Sequence, residues 1–272
     1  MHCGLRDLAA QATSNVSAIE FVGARAKLAR AEELSKDLRS DFRSFLQSNE
    51  PRVVQELDGT TGDLVCRCRN VVAPPLSFAV SVGEIVHHLR SCFDHAVWQL
   101  VIANAGTPSK RHQFPVYIDA AMYKTEARRQ IAGVSARAAE TIQKLQPYHA
   151  GARYQHHCMW LIHELDRIDK HRVLLVAVAA AFVWGVKYDT EDAESETGGG
   201  VRVTHLREGA ELVRVNKTSI TPGMKVHPQT TFDIALEELG PTSLTSADIL
   251  LIHLIDFTKK SLTQMESATL SS

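Results

Sequence analysis

The sequence predicts an α+β protein, mainly α, with a helical bundle core, an N-terminal β-hairpin and a small antiparallel sheet near the C-terminus. Three observations carry this reading. Apolar residues recur at helical spacing over long stretches, most clearly between Phe78 and Gly106. Two short alternating segments, Val53–Leu57 and Leu64–Arg69, flank the turn sequence Asp58-Gly59-Thr60-Thr61-Gly62-Asp63. Beyond residue 200 the pattern changes to short alternating runs split by turn residues. The 272 residues suffice for a sizeable core and read as a single domain. Its helical core covers about 17–48, 78–182 and 245–266, with β elements at about 52–72 and 201–237.

In chain order, residues 1–15 read as a poorly anchored leader. A helix follows from about Ser17 to Ser48, with Leu34, Leu38, Phe42 and Phe45 at 3–4 spacing, and Pro51 ends it. After the hairpin, Pro74-Pro75 leads into the central helix, which Gly106 is expected to stop. Phe114-Pro115-Val116-Tyr117 reads as an extended segment docked on the core. Helices are expected at Ala120–Ile131 and Ala136–Leu145, and a longer one from about Tyr154 to past Leu175. The acidic, small-residue stretch 190–200 reads as an exposed loop. Val201–Leu206, Glu211–Val215, Met224–His227 and Phe232–Leu236 alternate as short strands. The last helix begins near Ser246, with Thr245 or Ser246 as its N-cap.

Bulk properties exclude some classes of function. With 30 basic and 31 acidic side chains, the net charge is −1, so any nucleic-acid binding must rest on a local patch. Five cysteines form an odd set without a disulfide-framework spacing. Cys92 and Cys158 read as small hydrophobes in helices. Cys66 and Cys68 share one strand face and could supply two metal ligands, yet no second pair completes a site. No basic region followed by an apolar run opens the chain, and the apolar run Val173–Trp184 is too short for a bilayer. A cytoplasmic protein without membrane contact is the expectation.

The central helix carries an unusual density of titratable groups. On a wheel centred on Leu89, Val82, Ile85, Phe93, Ala96 and Leu100 form one apolar stripe. Glu84, His88 and His95 line one shoulder, and His87, Arg90 and Asp94 the other. Trp98 and Ile102 fall near the back, which predicts packed neighbours on two sides. Arg90 and Asp94, four apart, are placed to pair.

On the later helix, Asp169 and Arg172 fall about 40° and 20° from the centre of an apolar stripe through Cys158, Leu161, Ile162, Ile168 and Val176. Charges at core positions are costly unless paired. They read either as an internal salt bridge or as groups reaching a polar pocket shared with the central helix.

No phosphate loop, nucleophile elbow or dinucleotide fingerprint is present. Glu84 and His87 stand at the spacing of ferritin-like di-iron helices, but Glu164 is followed three residues on by Arg167 instead of a second histidine. A transition metal on His88, His95, His163 or His171 stays open. The leading expectation is no metal and no cofactor.

Two resemblances arise from these residues. Leu89-Arg90-Ser91-Cys92-Phe93-Asp94-His95, then Ile168-Asp169-Lys170-His171-Arg172, resembles a group of uncharacterised bacterial proteins with the same paired helices. Arg90, four residues and His95 are similar to the arginine–histidine motif of HEPN-domain ribonucleases. That second resemblance implies metal-independent cleavage of RNA by a homodimer. It assigns acid–base work to His95 and charge stabilisation to Arg90, with Asp94 beside them. His87, His88, Asp169, His171 and Arg172 would form a supporting network. A regulatory protein partner is a further expectation. Five residues apart, Arg90 and His95 diverge by about 140° around the helix, so a neighbouring helix or second subunit must complete such a site. The alternative is a non-catalytic helical binding or regulatory module with a buried Arg/Asp/His network.

Overall fold

The computed structural model describes residues 21–174, 176–179, 186–190, 193–197, 206–220, 224–228, 231–239 and 246–269. Its first half runs α1 (Val22–Ser48), β1 (Arg52–Leu57), β2 (Leu64–Arg69), α2 (Leu76–Ala103), α3 (Ala120–Gln130) and α4 (Ala136–Lys144). A 3₁₀ segment (Pro147–His156) leads to α5 (Cys158–Asp169). Then come β3 (Val176–Ala179), β4 (Val186–Thr190), β5 (Ala193–Thr197), β6 (Glu211–Val215), β7 (Lys225–Pro228), β8 (Asp233–Leu236) and α6 (Ala247–Ser267). The class is the expected one, α+β and mainly α. No described helix is long and apolar enough to cross a membrane.

Packing divides the chain into two compact units. The first takes its described residues from Met1–Glu32, Val86–Asp166 and His253–Ser272; the second takes them from Glu33–Ile85 and Arg167–Ile252.

The first unit is helical. Its core is built on α2, where Val86, Leu89, Phe93, Ala96, Val97 and Leu100 are all buried. Phe93 stacks at an angle on Phe114 at 5.0 Å and on Phe257 of α6 at 6.2 Å between ring centroids. The expected second packed face of α2 is not seen at Trp98 and Ile102, which are 43% and 45% exposed. Helix α2 ends in a Schellman motif. The Gly106 amide donates to Val101 O, the Ala105 amide donates to Ile102 O, and Ala105 takes the left-handed conformation at φ 54°. Gly106 is needed one residue later than a glycine stop would place it, because a Cβ there would lie 2.8 Å from Val101 Cγ1. Helices α3 and α4 start where Asp119 and Ser135 cap them, accepting from the amides of Met122 and Ala138.

The second unit holds three antiparallel sheets, ordered β1-β2-β6, β3-β8 and β5-β4-β7. The expected hairpin β1–β2 is present, and its ladder closes at Leu57 opposite Leu64. Leu64 and Cys66 of β2 cluster with Val215 of β6 and Val226 of β7. Burial pushes the Cys66 and Cys68 thiols up to about 11, so both stay protonated at neutral pH.

Two expectations are corrected here. The helix predicted from Tyr154 to past Leu175 ends at Asp169, and Val176–Ala179 pairs instead with Asp233–Leu236. A short apolar run satisfies either period, and a distant strand partner decides between them. Within residues 190–200, expected as a loop, Thr190 and Ala193 close a β4–β5 hairpin. At the last helix, the Ser246 carbonyl accepts from Leu250, but its buried Oγ has no hydrogen-bond partner among the described residues, so this side chain does not cap the first turn. Thr245, Val201–His205 and the leader lie outside the described residues.

Arg214 of β6 binds the hairpin turn, reaching Asp58 at 2.9 Å, Asp63 at 3.1 Å and Glu211 at 2.7 Å. The Thr60 amide and then Arg214 hold Asp58 below the ordinary aspartate value of 3.8. The Lys217 amide, the Thr61 hydroxyl and Arg214 do the same for Asp63, and Arg214 holds Glu211 below 4.5. Carboxylates depressed by folding contribute stability above their unfolded values and lose it as pH falls through the folded ones. The expected outcome is an acid limb in the melting temperature that opens below about pH 4.5. Arg214→Ala should flatten that limb in a pH series of thermal melts.

Candidate functional site

Helix α2 has residues in both units, and its titratable groups from His87 to His95 lie in the first. In the first unit, the turn from Arg90 to Asp94 meets the extended segment at Phe114. Arg90 Nη1 donates to Asp94 Oδ1 at 2.7 Å, and Arg90 Nη2 donates to the Phe114 carbonyl at 2.9 Å. The Phe114 amide donates to the same Asp94 oxygen at 2.8 Å. Both backbone groups of Phe114 are thereby satisfied by one ion pair, as a neighbouring strand would satisfy them. The Arg90 residue is 8% exposed, while the Asp94 side chain is 38% exposed. The pairing expected from the i, i+4 spacing is therefore present. The backbone partner of that pair was not visible in the spacing.

His95 does not join this network. It is exposed and makes no hydrogen bond or ion pair with any described residue. Its ring lies over α1 at Gly23, where an added Cβ would come within 2.7 Å of Nδ1. Arg90 and His95 thus face different surroundings, as the angle between them requires.

One turn earlier, the same helix meets α5. His87 Nδ1 is 3.0 Å from Asp166 Oδ1. The Asp166 side chain is 4% exposed and that of His87 is 53% exposed. His88 is half-buried, with its ring 6.3 Å from that of His87. Asp166 is the residue that sequence reasoning passed over. The available signal was its place on the buried face of α5, four residues after Ile162 and seven after Met159.

In the second unit, α2 meets Asp169 through Gly83. A Cβ on Gly83 would lie 2.2 Å from Asp169 Oδ1 and 2.5 Å from its Cγ. The absence of a side chain lets the carboxylate lie against the helix backbone. Gly83→Ala should therefore destabilise the protein by roughly 1–2 kcal/mol, overpacking outweighing the gain in helix propensity. In an Asp169→Ala background the same change should stabilise by up to about 1 kcal/mol, because only propensity remains. A double-mutant cycle by chemical denaturation checks the change of sign.

Of the two readings of Asp169 and Arg172, the salt bridge along one helix is corrected, since α5 ends at Asp169. Arg172, its side chain 55% exposed, pairs instead at 3.1 Å with Glu238, whose side chain is 2% exposed. His171 is exposed in the turn. The structure therefore brings together Arg90 with Asp94 and His87 with Asp166, but not the predicted arginine–histidine couple.

Burial pushes Cys92 up to about 12, and its Sγ lies 3.3 Å from the Ala24 carbonyl. Cys158 is half-buried, where a buried thiol was expected. Among the described residues, no three His, Cys, Asp or Glu side chains are grouped to share a metal ion. No family model matches the chain, and neither a curated protein nor a solved structure does.

Proposed function

We propose that the chain is a non-catalytic helical binding or regulatory module in which the Arg90–Asp94 and His87–Asp166 pairs are structural. The observation that carries this is the state of Arg90. A guanidinium that stabilises a phosphoryl transition state has to present donors to the substrate. Arg90 is buried, with one donor on Asp94 and another on the Phe114 carbonyl. Using it on a phosphate would undock the Phe114 segment.

A second reading, the HEPN-like homodimeric ribonuclease, draws on one observation, the exposed and unengaged imidazole of His95. A cleavage assay on a fluorogenic single-stranded RNA, with chelator present, separates the two. The module reading expects wild type, Arg90→Lys and His95→Ala to be equally inert. Cleavage by wild type that disappears in a folded His95→Ala variant would overturn it.

A further inference from the structure

We infer that an open groove in the first unit is a binding site for a phosphate monoester carrying hydroxyl groups, the chemistry shared by nucleoside monophosphates and sugar phosphates. The inference rests on the binding-module reading and gives it a ligand class.

The groove has a volume of about 450 Å³ and is lined by Arg111, Gln113, Tyr117, Glu126, Arg129 and Gln130. Glu126, Arg129 and Gln130 stand at i, i+3 and i+4 on α3, so they share one helix face. The opposite wall is the segment from Arg111 to Tyr117. Clefts of roughly 300–1,000 Å³ are the usual size for small-molecule sites, and this one falls within that range.

The opposite wall is fixed in advance. The Gln113 amide donates to the Gln130 carbonyl at 3.2 Å, and the Tyr117 hydroxyl donates to Gln130 Oε1 at 3.2 Å. Behind the wall, fully buried Gln146 accepts from the Tyr117 amide at 3.1 Å and donates to the Pro115 carbonyl at 2.9 Å. A ligand entering this groove does not have to order its floor.

The charges, by contrast, are unspent. Arg25, Arg39, Arg67, Arg90, Arg172 and Arg214 are each held by a carboxylate. The side chains of Arg111 and Arg129 make no hydrogen bond or ion pair with any described residue, although both line the groove. Lone surface arginines are ordinary; two lining one cleft of ligand size are not. Guanidinium forks match the oxygens of a phosphate. Glu126 also lines the groove and would repel a simple anion, so the ligand must carry hydrogen-bond donors at its other end. Tyr117 holds Gln130 by its oxygen, which leaves the Gln130 NH₂ group to donate. An anion at the arginines and hydroxyls at Glu126 satisfy all of these groups together.

The test is calorimetric titration of the full chain at low salt. The probes are adenosine 5′-monophosphate, ribose 5-phosphate and adenosine. Saturable binding of either phosphate compound is expected, with adenosine at least about tenfold weaker. Tighter binding of the nucleotide assigns the nucleoside class; equal affinities assign sugar phosphates. Arg111→Ala and Arg129→Ala should each weaken binding about tenfold, while Arg153→Ala, an exposed arginine of the same unit outside the groove, leaves it unchanged. All three positions are exposed, so unchanged melting temperatures show that the variants remain folded. No saturable heat from either phosphate at about 10 mM, weaker than ordinary metabolite affinities, overturns the inference. So does an equal loss in Arg153→Ala. The module reading fails separately, by RNA cleavage measured without these probes.

Discussion

Asp94→Ala is expected to cost about 3–5 kcal/mol of folding stability, more than Arg90→Ala. The order follows from which partner is buried. Removing Asp94 strands a guanidinium that is 8% exposed and leaves the Phe114 amide without its acceptor. Removing Arg90 leaves a carboxylate whose side chain is already 38% exposed and can be rehydrated, together with one orphaned carbonyl at Phe114. That second loss should come to about 2–3 kcal/mol, a carbonyl plus lost packing. Asp94→Asn keeps an oxygen for the Phe114 amide and should fall between wild type and Asp94→Ala. Urea unfolding followed by circular dichroism gives the ranking. Arg90→Ala proving more costly than Asp94→Ala would mean that the carboxylate, not the guanidinium, is the group hidden from water. The measurement also bears on function, because a guanidinium serving a substrate would be dispensable for folding.

Gln146→Leu should be about as severe, at roughly 3–5 kcal/mol, with little change in volume. Leucine fills the space but leaves the Tyr117 amide, the Pro115 carbonyl and the Ile142 carbonyl without their side-chain partner. Each unsatisfied buried group costs on the order of 1–3 kcal/mol. Hydrogen exchange supplies a local readout, since the Tyr117 amide should lose its protection. A variant that melts like wild type, with Tyr117 still protected, would show that water replaces the amide at this position. Because Tyr117 lines the phosphate groove, the same variant should bind the nucleotide probe more weakly while keeping Arg111 and Arg129.

The sequence by itself determined the elements whose causes are local. Helices α2, α3 and α4 follow from apolar residues at helical spacing, and the β1–β2 hairpin from alternation around an Asp/Gly turn. The Arg90–Asp94 pair was legible for the same reason, since four residues are one helical turn. Tertiary structure alone decided the rest. Val176–Ala179 became a strand because Asp233–Leu236, nearly sixty residues away, offered it a ladder. Asp166 could be buried because His87 stood opposite, and Asp169 could lie against α2 because Gly83 has no side chain. Arg90 acquired its role from the Phe114 backbone, and backbone groups leave no mark in residue identity. Periodicity reports which face of an element is apolar; it carries no term for what that face will meet.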